Sequence, residues 1–189
     1  MVRLNRIYTR TGDAGETGLV DGSRLPKCAP RMAAIGDVDE LNSAIGIALT
    51  HDMPATAGAK LSRIQNELFD LGADFATPGP DFAPSEMVLR IVESQVERLE
   101  AEIDEMNDAL EPLRSFILPG GHPAAAAIHL ARAICRRAER SAVAADRDAG
   151  LNPVGLAYVN RLSDHLFVLA RWINLAGSGD ILWKPGATR

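Results

Sequence analysis

The stretch RAICRRAER at residues 132–140 indicates both the fold and the chemistry of this chain. An α-helix turns about 100° per residue, so Arg132, Arg136 and Glu139 fall within roughly 60° of arc on one helix face. Such a face predicts a site for a polyanion, above all the triphosphate of a nucleotide, because the fixed donor fork of arginine matches phosphate oxygens. The alternative is a solvated helix surface with ion pairs between successive turns.

The residues around this face indicate where it lies in the molecule. Arg140 lies near the edge of the face, and Arg137 points elsewhere. The overlapping segment HPAAAAIHLARAIC at residues 122–135 is strongly apolar. Arg132 is therefore expected to lie partly inside a helical bundle or at a subunit interface, where a charge requires a partner.

Hydrophobic periodicity predicts four further helices. Apolar residues recur at three- and four-residue steps after Pro30, and the segments TPGPDFAP and FILPGGHP interrupt the pattern. The five predicted helices cover residues 31–50, 61–75, 85–110, 123–148 and 153–176. We recognise no convincing strand, so the sequence predicts an all-α fold, a five-helix bundle with short connections. The acidic residues of the third helix are expected to form its solvated outer surface.

We expect a single domain, residues 1–189, with three parts. Residues 1–30 are rich in Gly, Thr, Asp and Pro, which predicts an irregular N-terminal arm. Residues 31–176 form the predicted bundle, and residues 177–189 form a C-terminal tail. With 189 residues, of which 47% are hydrophobic, the chain is long enough to bury one sizeable core.

Composition limits the class of partner. The formal net charge of −5 argues against nucleic acid as the main partner, because binding to phosphate backbones normally requires a basic protein. Two distant cysteines, Cys28 and Cys135, indicate neither a disulfide framework nor a zinc site. The N-terminus lacks the apolar core of a signal peptide, and no apolar run is long enough to span a membrane. We therefore expect a cytoplasmic protein with no nucleic-acid or membrane partner.

The arm contains TRTGDAGETG at residues 9–18. Its glycines and hydroxyl groups could surround a phosphate with backbone N–H groups, or they could form an ordinary turn. The segment is not a P-loop, because GxxxxGK[ST] is absent. Lys27 lies further along the arm and is either a surface lysine or a partner for phosphate.

The fifth predicted helix carries a polar stripe. Six residues fall within about 60° on either side of Asn160: Asn160, Ser163, Asp164, Phe167, Arg171 and Asn174. The opposite side carries the leucines and Ile173 that would face the core. The stripe is either solvent-facing or part of a site, and its composition favours a site.

The acidic residues at the start of the first helix have two interpretations. Asp37, Asp39 and Glu40 complement the helix dipole, or one of them pairs with a buried arginine. The four histidines do not form an HxxxH or ExxH pattern, so a metal-binding bundle is poorly supported and each histidine is interpreted as structural.

Five segments together resemble the signature segments of PduO-type ATP:cob(I)alamin adenosyltransferases, and they occur in the order found in that family. They are YTRTGDAGETGL at 8–19, GDVDELN at 36–42, SFILPGG at 115–121, RAICRRAER at 132–140 and NRLSDHLFVLAR at 160–171. The resemblance implies a five-helix bundle that forms homotrimers, with active sites between adjacent subunits. This fold agrees with the helix count obtained from periodicity alone.

The resemblance also implies an activity. In this family cob(I)alamin acts as a cobalt nucleophile on the 5′ carbon of ATP and expels inorganic triphosphate, which yields adenosylcobalamin. ATP, Mg²⁺ and reduced cobalamin are the implied ligands. A reductase and a cobalamin-dependent acceptor enzyme are implied partners.

The resemblance implies two sets of site residues. The implied catalytic residues are Asp39, Phe116, Arg132 and Arg136. The implied ATP-binding residues are Thr9, Arg10, Thr11, Gly12, Thr17, Gly18, Lys27, Arg136, Arg137, Ala138, Glu139, Arg140 and Asn160.

Individual roles follow from the same resemblance. Lys27, Arg136 and a magnesium ion would stabilise the charge of the departing triphosphate, and Glu139 with Asn160 could orient the nucleoside. Arg132 would pair with Asp39 of a neighbouring subunit. Phe116 would lie below the corrin ring and exclude the lower axial ligand.

Two hypotheses from other classes remain. A nucleotide-sensing or chaperone-like bundle would bind ATP or a corrinoid without turnover and release no triphosphate. A purely structural interaction module would show unchanged ATP binding when Arg136 is replaced by alanine.

Overall fold

A computed structural model describes residues 8–86, 88–177 and 179–189. Its five helices are α1 (Pro30–Leu49), α2 (Ala55–Phe75), α3 (Glu93–Asn107), α4 (Pro123–Ala149) and α5 (Pro153–Asn174). Four short strands accompany them: β1 (Glu16–Gly18), β2 (Arg24–Pro26), β3 (Ile117–Leu118) and β4 (Ile181–Leu182). Helix α1 packs on α2 and α4, and α5 packs on α3 and α4. The predicted five-helix bundle is confirmed.

The helix starts follow from local sequence. A proline occupies the first turn of α1, α4 and α5, where its missing N–H costs no hydrogen bond. His122 Nδ1 accepts from the backbone N–H of Ala124 at 3.2 Å, and Asn152 Oδ1 accepts from that of Val154 at 3.0 Å. These side chains satisfy amides that have no partner within the helix.

The predicted start of the third helix at residue 85 is wrong, because α3 begins only at Glu93. The preceding residues bind a buried carboxylate instead. Asp74 accepts from Arg90 Nη1 at 2.7 Å and from the backbone N–H of Ile91 at 2.9 Å. Asn152 Nδ2 also donates to Asp74, at 2.7 Å. Residues 88–92 are therefore not helical, and the helix begins eight residues after its predicted start.

The expectation that the chain contains no strand is wrong. Strands β1 and β2 form an antiparallel hairpin within the arm, and β3 pairs antiparallel with β4 of the tail. Each ladder has only two or three residues per strand, which is too short for a period of two to be recognised. Helix α5 ends at Asn174 rather than at the predicted Ala176.

A buried arginine fixes the junction between the arm and the bundle. Arg31 donates from Nη1 to the Phe75 carbonyl and from Nη2 to the Ala149 carbonyl, both at 2.8 Å. These carbonyls close α2 and α4, and the last carbonyls of a helix have no partner within it. The arm itself touches the end of α2 through a hydrogen bond from the Val20 N–H to the Ala76 carbonyl at 3.1 Å.

A charged network joins α2, α3 and α5, and we call it the Glu67–Glu102 network. Glu67 accepts from the Tyr158 hydroxyl at 2.8 Å and from Arg98 at 3.0 Å. Glu102 is bound by both terminal nitrogens of Arg63 and lies 2.8 Å from His165 Nε2. Glu102 is thus an exception to the expectation that the acids of the third helix are solvated.

The network shifts the pKa values of its members. Burial would raise the pKa of Glu102, but hydrogen bonds from His165 and Arg63, together with their charges, lower it to about 2. Burial lowers the pKa of His165, which its contact with Glu102 only partly opposes. Among the described residues, no helix is long and apolar enough to cross a membrane.

Candidate active site

Helix α4 presents a row of arginines without carboxylate partners. Among residues 8–86, 88–177 and 179–189, no ion pair involves Arg132, Arg136 or Arg140. Arg140 donates only to the backbone carbonyl of Arg136, at 3.0 Å. The Arg132 Nε–H is buried without a hydrogen-bond partner, and burial followed by the charge of Arg136 lowers the pKa of this guanidinium. A cationic face left unneutralised by its own chain is suited to an external anion.

Arg137 points away from this row, as the helical wheel predicts. Its guanidinium pairs with Asp37 at 3.3 Å and with Glu40, both on α1. Ser141 donates to Asp37 at 2.5 Å and strengthens the same contact. The structure therefore places Arg137 between α4 and α1, and Ala138 is buried in the core. Neither residue lies on the face that carries Arg136.

Glu139 and Asn160 extend the arginine row towards α5. The Asn160 Nδ2 donates to Glu139 Oε1 at 2.7 Å, so two predicted site residues from different helices are in contact. The pair lies at the surface, where its remaining donor and acceptor positions stay accessible. It therefore offers both hydrogen-bond donors and acceptors beside a cationic face, as a polar nucleoside requires.

The arm brings together a second predicted group. Its backbone turns sharply at Arg10 (φ 62°) and at Gly15 (φ 85°), and the Thr9 and Thr11 hydroxyl oxygens lie 2.9 Å apart. The Lys27 side chain crosses Gly12 so closely that a Cβ added there would lie 3.0 Å from Lys27 Nζ. The segment is thus a compact loop of N–H groups and hydroxyls with one ammonium group above it, suited to phosphate.

Thr17 and Gly18 hold the other side of this loop as part of β1. Thr17 pairs with Leu25 and Gly18 with Arg24 of β2. Strands β1 and β2 make no contact with α4 of the same chain. Within one chain, the strand residues Thr17 and Gly18 therefore lie apart from the arginine row of α4.

Phe116 lies outside the bundle, with 77% of its surface exposed. Its ring centroid lies 6.0 Å from that of Trp183, and the Trp183 N–H donates to the Phe116 carbonyl at 2.8 Å. A cavity of about 170 Å³ beside it is lined by Leu113, Phe116, Ile117, Pro119, His129, Arg132 and Phe167. Two of the predicted catalytic residues, Phe116 and Arg132, thus share one cavity.

Asp39 lies elsewhere, on an apolar groove between α1 and α2. The groove has a volume of about 490 Å³ and is lined by Met32, Ile35, Val38, Asp39, Leu68, Phe69 and neighbouring small residues. Phe69 on its wall is 72% exposed. No ion pair joins Asp39 to Arg132 within the described chain.

Known proteins are similar to this chain in sequence and fold. The family model described as cobalamin adenosyltransferase matches residues 7–173. The chain belongs to the cobalamin adenosyltransferase family. A corrinoid adenosyltransferase of Mycobacterium tuberculosis is 49% identical over 100% of this chain and 97% of its own length. A cobalamin adenosyltransferase of Cupriavidus metallidurans is 50% identical over 96% of each chain.

Solved structures agree with this membership. A single-residue variant of the PduO-type ATP:corrinoid adenosyltransferase from Lactobacillus reuteri, complexed with cobalamin and ATP, superimposes with a TM-score of 0.86. It is 38% identical, and the match covers 95% of this chain and 99% of that one. The resemblance to PduO-type adenosyltransferases and the expected enzyme class are confirmed.

In this adenosyltransferase the polar stripe of α5 divides into two parts, which the wheel did not predict. Asn160 and Asp164 are exposed, whereas Ser163 and Arg171 are buried. Asn174 is 2% exposed and binds the loop that carries Phe116. The expectation that all six residues face one site is therefore wrong.

Sequence reasoning missed two residues that support this cobalamin adenosyltransferase's predicted site. Arg24 donates from Nη2 to the Thr11 carbonyl at 2.9 Å and pairs with Glu16 at 3.4 Å, so it supports the arm loop. Trp183 packs on Phe116. The run Ile-Leu-Trp at 181–183 has high β-propensity and is the signal that could have indicated Trp183. Arg24 has no comparable signal, because its partner becomes visible only when the arm folds.

Proposed function

We propose that the chain transfers the 5′-deoxyadenosyl group of ATP to the cobalt of cob(I)alamin, giving adenosylcobalamin and triphosphate. The observation that carries this proposal is the row of unpaired guanidinium groups on α4 beside the Glu139–Asn160 pair. Family membership adds the reaction, since the relatives are named corrinoid adenosyltransferases and the Lactobacillus reuteri structure holds both cobalamin and ATP.

ATP is proposed to bind between the arm and α4. Thr9–Gly12, Thr17, Gly18 and Lys27 would surround the phosphates, while Arg136 and Arg140 would meet them from α4 and Glu139 with Asn160 would hold the nucleoside. Negative charge accumulates on the triphosphate as its bond to the 5′ carbon breaks, so fixed cations at Lys27 and Arg136 favour the transition state. A Mg²⁺ ion is expected to arrive with the triphosphate, because it prefers phosphate oxygens and retains several waters.

Arg137 and Ala138 are given a smaller part in this proposal. The family's ATP segment includes both positions, yet Arg137 pairs with α1 and Ala138 is buried. They are proposed to support the α4 face rather than to touch the nucleotide.

A homotrimer is proposed, with each active site between two subunits. Strands β1 and β2 of the arm make no contact with α4 of their own chain, and Arg132 retains a buried N–H without a partner. A neighbouring copy would supply Asp39 to Arg132 and cover the apolar groove at Phe69. An uncompensated buried charge is strongly destabilising, so this pair would favour assembly.

Phe116 is proposed to lie against the lower face of the corrin ring. Its exposed ring can occupy the side of the cobalt from which an axial ligand would otherwise bind. Electron-rich Co(I) prefers fewer ligands, so exclusion of that ligand makes the reactive state easier to reach.

The cellular setting is proposed from chemistry. Both cysteines are free thiols, which suits a reducing cytoplasm. A reductase must supply the electron that forms Co(I), and an acceptor enzyme must receive adenosylcobalamin. The arm, the bundle and the tail are proposed to form one domain that carries out the adenosyl transfer.

The test is incubation with ATP, Mg²⁺ and chemically reduced cobalamin. We expect the spectrum of light-sensitive adenosylcobalamin and one triphosphate released per product. Arg136→Ala should lose this activity, whereas Arg147→Ala, an exposed arginine in the last turn of α4, should retain it. Ligand binding without triphosphate release would contradict turnover and support the carrier hypothesis instead.

A further inference from the structure

Three polar side chains hold the Phe116 loop and the C-terminal tail together, and we call them the loop–tail clamp: Arg171, Asn174 and Asp180. The Asn174 Oδ1 accepts from the backbone N–H of His122 at 2.9 Å. Its Nδ2 donates to the Gly120 carbonyl at 3.1 Å and to Asp180 at 3.3 Å. One buried carboxamide thus binds the loop and the tail at once.

Arg171 completes the clamp one turn earlier on α5. Its Nε donates to Asp180 at 2.9 Å, and its Nη2 donates to the Glu111 carbonyl at 2.9 Å. Both Arg171 and Asn174 are buried, so these bonds are shielded from water. Buried polar groups with all partners in place make local structure rigid and unique.

The loop is fitted closely against Asn174. Gly121 has a φ of 96°, a conformation that other residues rarely adopt. A Cβ added to Gly121 would overlap the Asn174 carboxamide, and one added to Gly120 would lie 2.9 Å from Ile181 Cδ1. The loop therefore requires glycine at position 121, where a side chain would displace the buried Asn174 carboxamide, whereas the end of the Ile181 side chain can rotate away from a Cβ at position 120.

The position of Phe116 depends on this arrangement. Strand β3 pairs with β4, so Ile117 lies opposite Leu182. The Ser115 hydroxyl donates to the Trp183 carbonyl at 3.0 Å. Because the Phe116 ring is mostly exposed, the bundle core restrains it little, and its direction follows from the tail.

We infer that Asn174 and Asp180 are positioning residues for the adenosyl transfer, since they fix the Phe116 ring at the height and direction needed below the corrin. The inference rests on the proposed function. A displacement of about 1 Å at a reacting centre can cost about a hundredfold in rate. Release of the clamp therefore weakens exclusion of the axial ligand while the ATP half of the site, on the arm and on the middle of α4, stays intact.

The experiment compares Asn174→Ala and the milder Asp180→Asn with the wild-type chain. Glu100→Gln is the matched control, because Glu100 is also a carboxylate paired with an arginine of α5, Arg161. The first measurement is amide hydrogen exchange. We expect faster exchange at His122 and Trp183 in both clamp variants, and wild-type exchange in the control.

The second measurement is the electron paramagnetic resonance spectrum of cob(II)alamin with ATP, which distinguishes four-coordinate from five-coordinate cobalt. We expect a smaller four-coordinate fraction and a loss of about tenfold to a hundredfold in reductase-coupled kcat/KM for Asn174→Ala. With preformed cob(I)alamin the loss should be smaller, and the KM for ATP should change less than threefold.

Several outcomes would overturn the inference. They are unchanged exchange at both amides, or an unchanged four-coordinate fraction in a variant whose loop exchanges faster. If Asn174→Ala does not fold, Asp180→Asn carries the same comparison. A wild-type chain that forms no adenosylcobalamin would overturn the proposed function and the catalytic role of the clamp. Faster exchange confined to the loop and tail would still support the clamp itself.

Discussion

The arginines of α4 and those of the Glu67–Glu102 network lie in the same bundle but have opposite surroundings. Arg63 reaches two carboxylates of its own chain, Glu67 and Glu102. Arg132 and Arg136 reach none among the described residues, although Arg132 is partly buried. A cation that is neutralised within the chain stabilises the fold, whereas one that is left unpaired at a surface is available to a ligand or a second subunit. The difference separates the arginines that join helices of this chain from those of α4 that are proposed to bind a ligand or a neighbouring subunit.

The largest effect on folding is expected at Glu67. Replacement by alanine leaves Arg63, Arg98 and the buried Tyr158 hydroxyl without a shared acceptor. The buried Tyr158 hydroxyl left without an acceptor costs about 1–3 kcal/mol in the free energy of unfolding. The lost ion pairs with Arg63 and Arg98 add to this cost, although Arg63 keeps Glu102. Urea denaturation of Glu67→Ala beside Glu100→Gln measures this. A loss for Glu67→Ala no larger than that of the control would show that the network does not stabilise the bundle.

The converse effect is expected at Arg136. Arg136→Ala should lower kcat/KM by about a hundredfold to a thousandfold, the range found when one donor to a developing charge is removed. The melting temperature should stay close to that of the wild type, because this side chain has no partner in the described chain. A variant that melts early and retains activity would reverse the comparison.

The pH dependence of stability separates the two regions further. The pKa of Glu102 is about 2 in the folded chain and 4.5 as its ordinary value, so its contribution is lost as the pH falls from about 4.5 towards 2. This contribution is about 3 kcal/mol. The lowered pKa of buried His165 acts in the same direction, starting below pH 6.5. The free energy of unfolding, measured by denaturation at several pH values, should therefore fall more steeply from pH 7 to pH 3 for the wild type than for Glu102→Gln.

A smaller effect is expected for the proposed pair between subunits. Arg132→Ala and Asp39→Ala should each weaken the trimer or its activity, and the double variant should fall short of their sum by about 0.5–3 kcal/mol. Sedimentation velocity and kcat/KM, measured on the same samples of the wild type and the three variants, provide the double-mutant cycle. Strict additivity would mean that the two side chains do not touch.

The smallest effect is expected at Arg137. The Arg137, Asp37 and Glu40 side chains are all partly exposed, and ion pairs that water and salt can reach contribute little because they are screened. Arg137→Ala should change the melting temperature slightly and leave ATP binding close to that of the wild type. A loss of ATP affinity as large as that of Arg136→Ala would show that Arg137 leaves α1 when the nucleotide binds.

The parts of the fold that could be predicted from sequence are those that depend on near neighbours. The spacing of Leu61, Ile64 and Leu68 predicts a helix because a helix brings residues three and four apart onto one face. The start of α3 could not be predicted in this way, since Asp74 captures residues 90 and 91 from another helix. The β3–β4 ladder could not be predicted either, because it joins residues 63 and 65 positions apart in the sequence.

The candidate site divides along the same line. Arg132, Arg136 and Glu139 share a face by helical spacing alone, and the structure places them so. Arg171 and Asn174 share a predicted stripe with Asn160, but the loop at Gly120 and Gly121 covers them. A helical wheel gives the direction of each side chain around one helix, but it does not show which other segments pack against that helix.

The hydrogen bonds from Arg31 to the ends of α2 and α4 limit how the N-terminal arm can open. Because this residue is fixed to two helices, any opening of the arm must occur before Pro30, and the hydrogen-bonded β1–β2 hairpin should move as one piece. Among the described residues, the hydrogen bond from Val20 to Ala76 is the one backbone hydrogen bond between the hairpin and the end of α2. The opening of such a lid takes about microseconds to seconds, a range that overlaps the time of about 1 ms to 1 s that enzymes commonly need for one turnover. We therefore expect the rate of arm opening to contribute to the turnover rate.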